Sequence, residues 1–129
     1  MKKAIVTGGV GFVGTNLIKR LLSENYKVIS IDNYSTGKKE NEQVGCEYYN
    51  IDINNIMLAD YVLFEDADVI FHMAALARIQ PSLIRPKETI EANVNGTLNI
   101  LEIARKYNTQ VIFAGSSSFH HGLYGSAYA

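Results

Sequence analysis

One cysteine in 129 residues leaves Cys46 without an internal partner, so no disulfide staples this chain. A lone thiol suits a reducing compartment, and a cytoplasmic protein is expected. As a residue, Cys46 reads as small and part-buried rather than as a nucleophile. A dominant charge is missing as well. Twelve Lys and Arg stand against 13 Asp and Glu, giving a net charge of -1, and the basic residues are scattered. That excludes the usual electrostatic footprint of a nucleic-acid or membrane-surface partner. Long apolar runs are absent too. The stretch Ala4-Ile5-Val6 is too short for a signal peptide or a membrane span. There is no internal repeat and no low-complexity linker. What remains is ordinary: 47% hydrophobic and 19% charged residues, the composition of one soluble globular domain over 1–129.

The most informative stretch follows that short apolar run. Thr7-Gly8-Gly9-Val10-Gly11-Phe12-Val13-Gly14 carries glycines at 8, 11 and 14, spaced as Gly-x-x-Gly-x-x-Gly. Gly8 permits a tight turn with unusual backbone angles. Gly11, without a Cβ, lets backbone approach a pyrophosphate, and Gly14 lets a helix pack close on a strand. The amides and positive dipole end of the following helix then face the phosphates. Strand, turn and helix in this order make a dinucleotide site a strong reading.

Alternation of strand-like and helix-like segments continues along the chain. Lys3 to Thr7 reads as a buried strand. Phe12 to Ser23 reads as a helix with Val13, Leu17, Ile18, Leu21 and Leu22 on one face. Lys27 to Ile31 is a second strand, ending at Asp32. Asn33 to Gly45 is polar, a loop or short helix. Glu47 to Asn50 is a short third strand, and Asn55 to Phe64 reads as a helix. Asp68 to His72 is a fourth strand. Ala74 to Pro86 holds both prolines and reads as loop. Lys87 to Tyr107 is the clearest helix, with Ile90, Val94, Leu98, Leu101 and Ala104 at helical spacing. Gln110 to Ala114 is a fifth strand. Strands alternating with helices imply right-handed crossovers and a Rossmann-like, doubly wound α/β fold with a parallel sheet of about five strands.

Asp32 lies 18 residues beyond Gly14, at the end of the second strand. An acidic side chain there accepts hydrogen bonds from an adenosine ribose. It would repel a 2′-phosphate, so NAD is favoured over NADP, although Lys38 and Lys39 nearby pull the other way. Asp52, after the third strand, suits the adenine amino group with Ile53 packed on the ring. It suits capping of the next segment almost equally well. His72-Met73-Ala74-Ala75 ends the fourth strand, where small residues let a dinucleotide pass close to backbone. No second ligand is spaced to make His72 part of a metal site, so it reads as a structural, hydrogen-bonded histidine. No metal is expected.

Together these residues resemble the extended short-chain dehydrogenase/reductase family, and its nucleotide-sugar epimerase branch in particular. The resemblance rests on Thr7–Gly14, Asp32-Asn33-Tyr34-Ser35-Thr36-Gly37, Asp52-Ile53 and His72-Met73-Ala74-Ala75. Pro81-Ser82 with Pro86, Asn93-Val94-Asn95-Gly96-Thr97 and Ser116-Ser117-Ser118 extend it over essentially the whole chain. It implies NAD as cofactor, held by Gly8, Gly11, Phe12, Val13, Gly14, Asp32, Asn33, Asp52, Ile53, Met73, Ala74 and Ala75. It implies a nucleotide-sugar substrate and leaves room for a homodimer.

The family's catalytic centre is a Ser or Thr, a Tyr-x-x-x-Lys pair and often a helical Asn. By resemblance Ser116 matches the serine, with Ser117 the fallback. Tyr128 matches the acid/base through Ser126-Ala127-Tyr128-Ala129, and Tyr124 is its rival. Asn93 matches the helical Asn; it shares a stripe with Thr97, Ile100 and Ala104, and an ordinary core-edge Asn explains it about equally well. Two departures stand out. The Ser116–Tyr128 interval is short for the branch, with His120-His121-Gly122 in it. The matching Lys would be residue 132, past Ala129. The expectation is therefore an N-terminal fragment of a longer epimerase, inactive alone, with the fifth strand left as an apolar edge and the later strands and substrate region missing. Ser117-Ser118 argue against a 4,6-dehydratase, which carries an acidic pair there. A decarboxylase or reductase of the family stays open. A non-catalytic NAD-binding module is the reading from a different class.

Overall fold

The computed structural model describes residues 1–35, 37–74 and 86–113, with no side-chain description at 86 and 88–93. Five strands form the sheet: β1 (Lys3–Thr7), β2 (Lys27–Asp32), β3 (Cys46–Asn50), β4 (Val69–His72) and β5 (Gln110–Phe113). All four pairings are parallel, in the order β3-β2-β1-β4-β5. In register, Ile5 lies opposite Ile29 and Ile70, and Thr7 opposite Ile31 and His72.

Helices cover both faces, which is why β1 and β2 read as continuous apolar runs rather than alternating ones. Successive side chains point to opposite faces. Ala4, Val6 and Val28 go to α1 (Phe12–Ser23), packing with Ile18 and Leu21. Ile5, Ile29, Ile31 and Ile70 go to the other side, with Ile53, Phe64 and Ile100, Ile103 and Ala104 of α2 (Pro86–Tyr107). Each such fully buried isoleucine contributes about 1.5–3 kcal/mol.

Both helices end through asparagine. Asn25 (φ 64°) and Asn108 (φ 53°) take the left-handed conformation. The next amides reach back, Tyr26 N–H to Leu21 O at 3.0 Å and Thr109 N–H to Ala104 O at 2.8 Å. That closes the last turn and redirects the chain into β2 and β5.

Three expectations need correction. Residues 55–64 do not form an α-helix. They wind as two short 3₁₀ turns, Ile53–Asn55 and Leu58–Phe64, joined by extended backbone at Ile56 and Met57. Met57, Leu58 and Val62 are exposed and Phe64 is buried, so the apolar residues do not share one helical face. On α1, Val13 is 58% exposed rather than on the inner face. On α2, the stripe Val94, Leu98, Leu101 is exposed, and the inward stripe is Gly96, Ile100, Ile103 and Ala104. Ala114, placed in the fifth strand, and the loop 75–85 lie outside the described residues.

Candidate functional site: a dinucleotide cradle at the strand ends

Each glycine of the turn does a different job. Gly8 has φ +75°, and a Cβ on it would stand 3.0 Å from the Ala74 backbone. Its N–H donates to Ile31 O at 2.8 Å, tying the turn to β2. A Cβ on Gly14 would lie 2.1 Å from Gly8 O, so this glycine lets α1 sit on the turn. On Gly11 a Cβ would meet only Gly8 O, at 3.5 Å. The space beyond Gly11 is open. Gly9 was missed by sequence reasoning. Its Cβ would fall 1.9 Å from Ser30 Oγ, so β2 packs directly against its Cα. No spacing rule signals that contact, because Ser30 lies on another strand.

Gly11 is the N-cap of α1 and offers no side chain to it. The first amides of a helix have no partner within it, so those of Phe12, Val13 and Gly14 face outward at its positive end. The side chains of Phe12 and Val13 are exposed. Among the described residues nothing accepts these amides, and beside an open Gly11 they fit a pyrophosphate.

Asp32 ends β2 beside this turn. Its Oδ2 accepts the Val10 N–H at 3.1 Å, and its Oδ1 accepts the Tyr34 N–H at 2.8 Å. Each carboxylate oxygen keeps a free lone pair for a ribose hydroxyl. Asn33 is exposed and accepts from Ser35 N–H at 3.0 Å. Asp52 caps the following 3₁₀ turn, accepting Asn54 N–H at 2.9 Å. Ile53 is 6% exposed and goes into the core beneath Gly96 rather than presenting an open face.

At the end of β4, Thr7 Oγ1 accepts the N–H groups of Met73 (3.0 Å) and Ala74 (3.1 Å). The Met73 N–H is shared with the Thr7 carbonyl at 3.1 Å; with two amides directed at Oγ1, the hydroxyl proton is assigned to His72 Nδ1, 2.8 Å away. His72 is thereby the Nε2–H tautomer, and that N–H donates to Thr97 Oγ1 of α2 at 2.9 Å. Burial pushes the His72 pKa below its ordinary value. The ring is a neutral strut between β1, β4 and α2.

Thr7, Gly8, Asp32, Met73 and Ala74 thus converge at the carboxyl ends of β1, β2 and β4. Between β1 and β4 the strand order reverses, which is where open parallel sheets place ligands. Asn93 lies on α2, but its side chain is outside the described residues. Ala75, Pro81, Ser82, Ser116, Ser117, His120, His121, Tyr124 and Tyr128 are also outside them. Burial raises the Cys46 thiol to about 11, which keeps it protonated at neutral pH. Among the described residues no cluster of three or more His, Cys, Asp or Glu could hold a metal, and no helix is long and apolar enough to cross a membrane.

Residues 4–126 match the family described as "NAD dependent epimerase/dehydratase family". A Methanocaldococcus jannaschii protein named "Putative UDP-glucose 4-epimerase" is 39% identical over 92% of this chain and 39% of its own length. The UDP-N-acetyl-alpha-D-glucosaminuronate decarboxylase of Bacillus cytotoxicus is 35% identical, over 92% of this chain and 38% of its own. Among solved structures, the UDP-glucose 4-epimerase of Thermotoga maritima with UDP-glucose superposes with a TM-score of 0.83 at 31% identity. That match covers 88% of this chain and 38% of the other. The chain therefore spans about two-fifths of the length of the relatives it matches.

Proposed function

The chain belongs to the NAD dependent epimerase/dehydratase family, and from that premise we propose that it builds the NAD site of a cytoplasmic nucleotide-sugar epimerase. The observation that carries this reading is the cradle itself. Open space at Gly11, the first amides of α1, which no described residue accepts, and the Asp32 carboxylate stand together at the strand-order reversal. Three solved relatives are complexes with NAD, and epimerases of UDP-sugars recur among the matches.

In this reading the amides of Phe12 and Val13 bind the pyrophosphate and Asp32 the adenosine ribose, where it excludes a 2′-phosphate. Gly8, Asn33, Met73, Ala74 and Ala75 line the path, Gly14 seats α1 on the turn, and Asp52 stands at the adenine end with Ile53 in the core behind it. NAD supplies hydride acceptance and return at the sugar carbon. Tyr128, as phenolate, removes the proton of the sugar hydroxyl and gives it back. An ordinary tyrosine titrates near ~10, so that role needs a neighbouring cation. Ser116 donates a hydrogen bond to the reacting oxygen, and Asn93 orders backbone and water beside it.

A homodimer belongs to the same reading. The exposed stripe Val94, Leu98, Leu101 on α2 supports it. The decarboxylase relatives support a second reading, in which the same oxidation precedes loss of carbon dioxide. A third reading, an NAD-binding module without turnover, is separated by assay.

The test is calorimetry with NAD+ and NADP+, followed by turnover of UDP-glucose by a protein carrying this domain and its Tyr128→Phe form. Binding of NAD+ over NADP+ with turnover lost in Tyr128→Phe is expected. Absence of NAD+ binding would sink the cofactor assignment, and normal turnover by Tyr128→Phe would remove the acid/base.

A further inference from the structure

Val10, at the centre of the glycine turn, is completely buried, and both of its peptide groups are held from outside the turn. Its N–H goes to Asp32. Its carbonyl accepts the Asn41 Nδ2–H at 2.8 Å, across 31 residues of sequence. The same planar peptide carries the Gly11 N–H, which donates to Gly8 O at 3.2 Å. A peptide plane gripped at its C=O by one partner and at its N–H by another cannot rotate. The next amides in the chain are those of Phe12 and Val13.

Asn41 is itself fixed. Its N–H donates to Lys38 O at 2.9 Å, and its carbonyl accepts from Gln43 Nε2 at 2.8 Å. The Gln43 N–H donates to Tyr48 Oη of β3 at 2.7 Å, and Tyr34 Oη donates to Glu42 at 2.6 Å. Gly37 closes the same contact: a Cβ there would lie 2.5 Å from Val10 O. The connection from β2 to β3, polar and without strand or α-helix, is a brace against the back of the turn.

We infer that Asn41 is a positioning residue for the phosphate-facing amides, setting the Val10–Gly11 peptide plane so that the Phe12 and Val13 N–H groups point into the cradle. The inference rests on the cofactor reading above. It adds a residue that touches the turn and not the ligand.

The test compares Asn41→Ala and the isosteric Asn41→Asp with wild type, in three measurements. NAD+ affinity comes from calorimetry, adenosine affinity from ligand-observed NMR, and Gly11 amide exchange from NMR of the free protein. The loss of one hydrogen bond predicts NAD+ binding weakened about tenfold in Asn41→Ala. Adenosine, which has no pyrophosphate, should change by less than about twofold. Gly11 exchange should quicken. Asn41→Asp puts an oxygen against Val10 O and should match or exceed the alanine effect. Equal losses for NAD+ and adenosine, unchanged NAD+ affinity, or a variant that does not fold would each overturn the inference. If wild type binds neither ligand, the cofactor reading fails by itself, and Gly11 exchange still decides the role of Asn41.

Discussion

Thr7 directs its hydroxyl proton at His72, because the Ala74 N–H donates to Oγ1 and the Met73 N–H is shared between Oγ1 and the Thr7 carbonyl. A second proton on the imidazole would have to point at an oxygen at which two amides are already directed. Burial of the ring at the β1–β4 junction holds the His72 pKa below its ordinary value.

Stability should therefore fall in mild acid. The unfolded histidine binds a proton near ~6.5, while the folded one resists until lower pH. Between those values the unfolded state carries more protons, so the stabilisation is complete above ~6.5 and is lost as pH drops through the folded value. Urea melts of wild type and His72→Gln at several pH values read this directly. The gap between them should narrow as pH falls from 7 towards 5, and a pH-independent gap would show that His72 does not titrate in this way.

The glycines should separate into structural and ligand-facing classes. Gly14→Ala drives a Cβ into Gly8 O and should cost about 1–3 kcal/mol or more of stability. Gly9→Ala should behave the same way against Ser30. Gly11→Val enters open space, so its melting should stay within about 0.5 kcal/mol of wild type while NAD+ affinity falls. A Gly11→Val protein that binds NAD+ normally would show that the open space is not where the cofactor lies.

Asp32→Ala leaves two amides, those of Val10 and Tyr34, without their acceptor. Hydrogen bonds to a charged group are worth about 1.5–3 kcal/mol each, so a loss of stability accompanies weaker NAD+ binding. NAD+ preference over NADP+ should also shrink, as titrations with both would show. An unchanged ratio would take the ribose role from Asp32.

Leu98→Glu alters a side chain that is 54% exposed at the middle of the α2 stripe. The fold should tolerate it, and, on the proposal that this stripe carries a homodimer, sedimentation of a protein carrying the domain should move from dimer to monomer. A dimer that survives the charge uses another surface.

Much of this was legible in sequence, for identifiable reasons. β1, β2 and α1 announce themselves because apolar runs two layers deep and three glycines leave few alternatives. The choice between the two apolar stripes of α2 was not legible. Val94-Leu98-Leu101 and Gly96-Ile100-Ile103 are both apolar, and only the sheet decides which is buried. Residues 55–64 hold apolar side chains without a helical stripe, so nothing in their pattern separates an α-helix from the two 3₁₀ turns that form. The contacts of Gly9 with Ser30 and Asn41 with Val10 joined positions that no local pattern relates. The part of the site that could be read was the part built by consecutive residues. The part brought in by the β2–β3 connection could not.

The sheet order has a consequence for how this domain comes into being. β1 is the central strand of the described sheet, and its partner β4 comes 65 residues later in sequence at the Thr7–His72 pair. Parallel pairing of distant segments is slow, since chain entropy is spent before the contacts form. Until the chain as far as His72 is in place, β1 is paired on one side alone, with β2. Loss of β1 would therefore take out the middle of the described sheet rather than its margin.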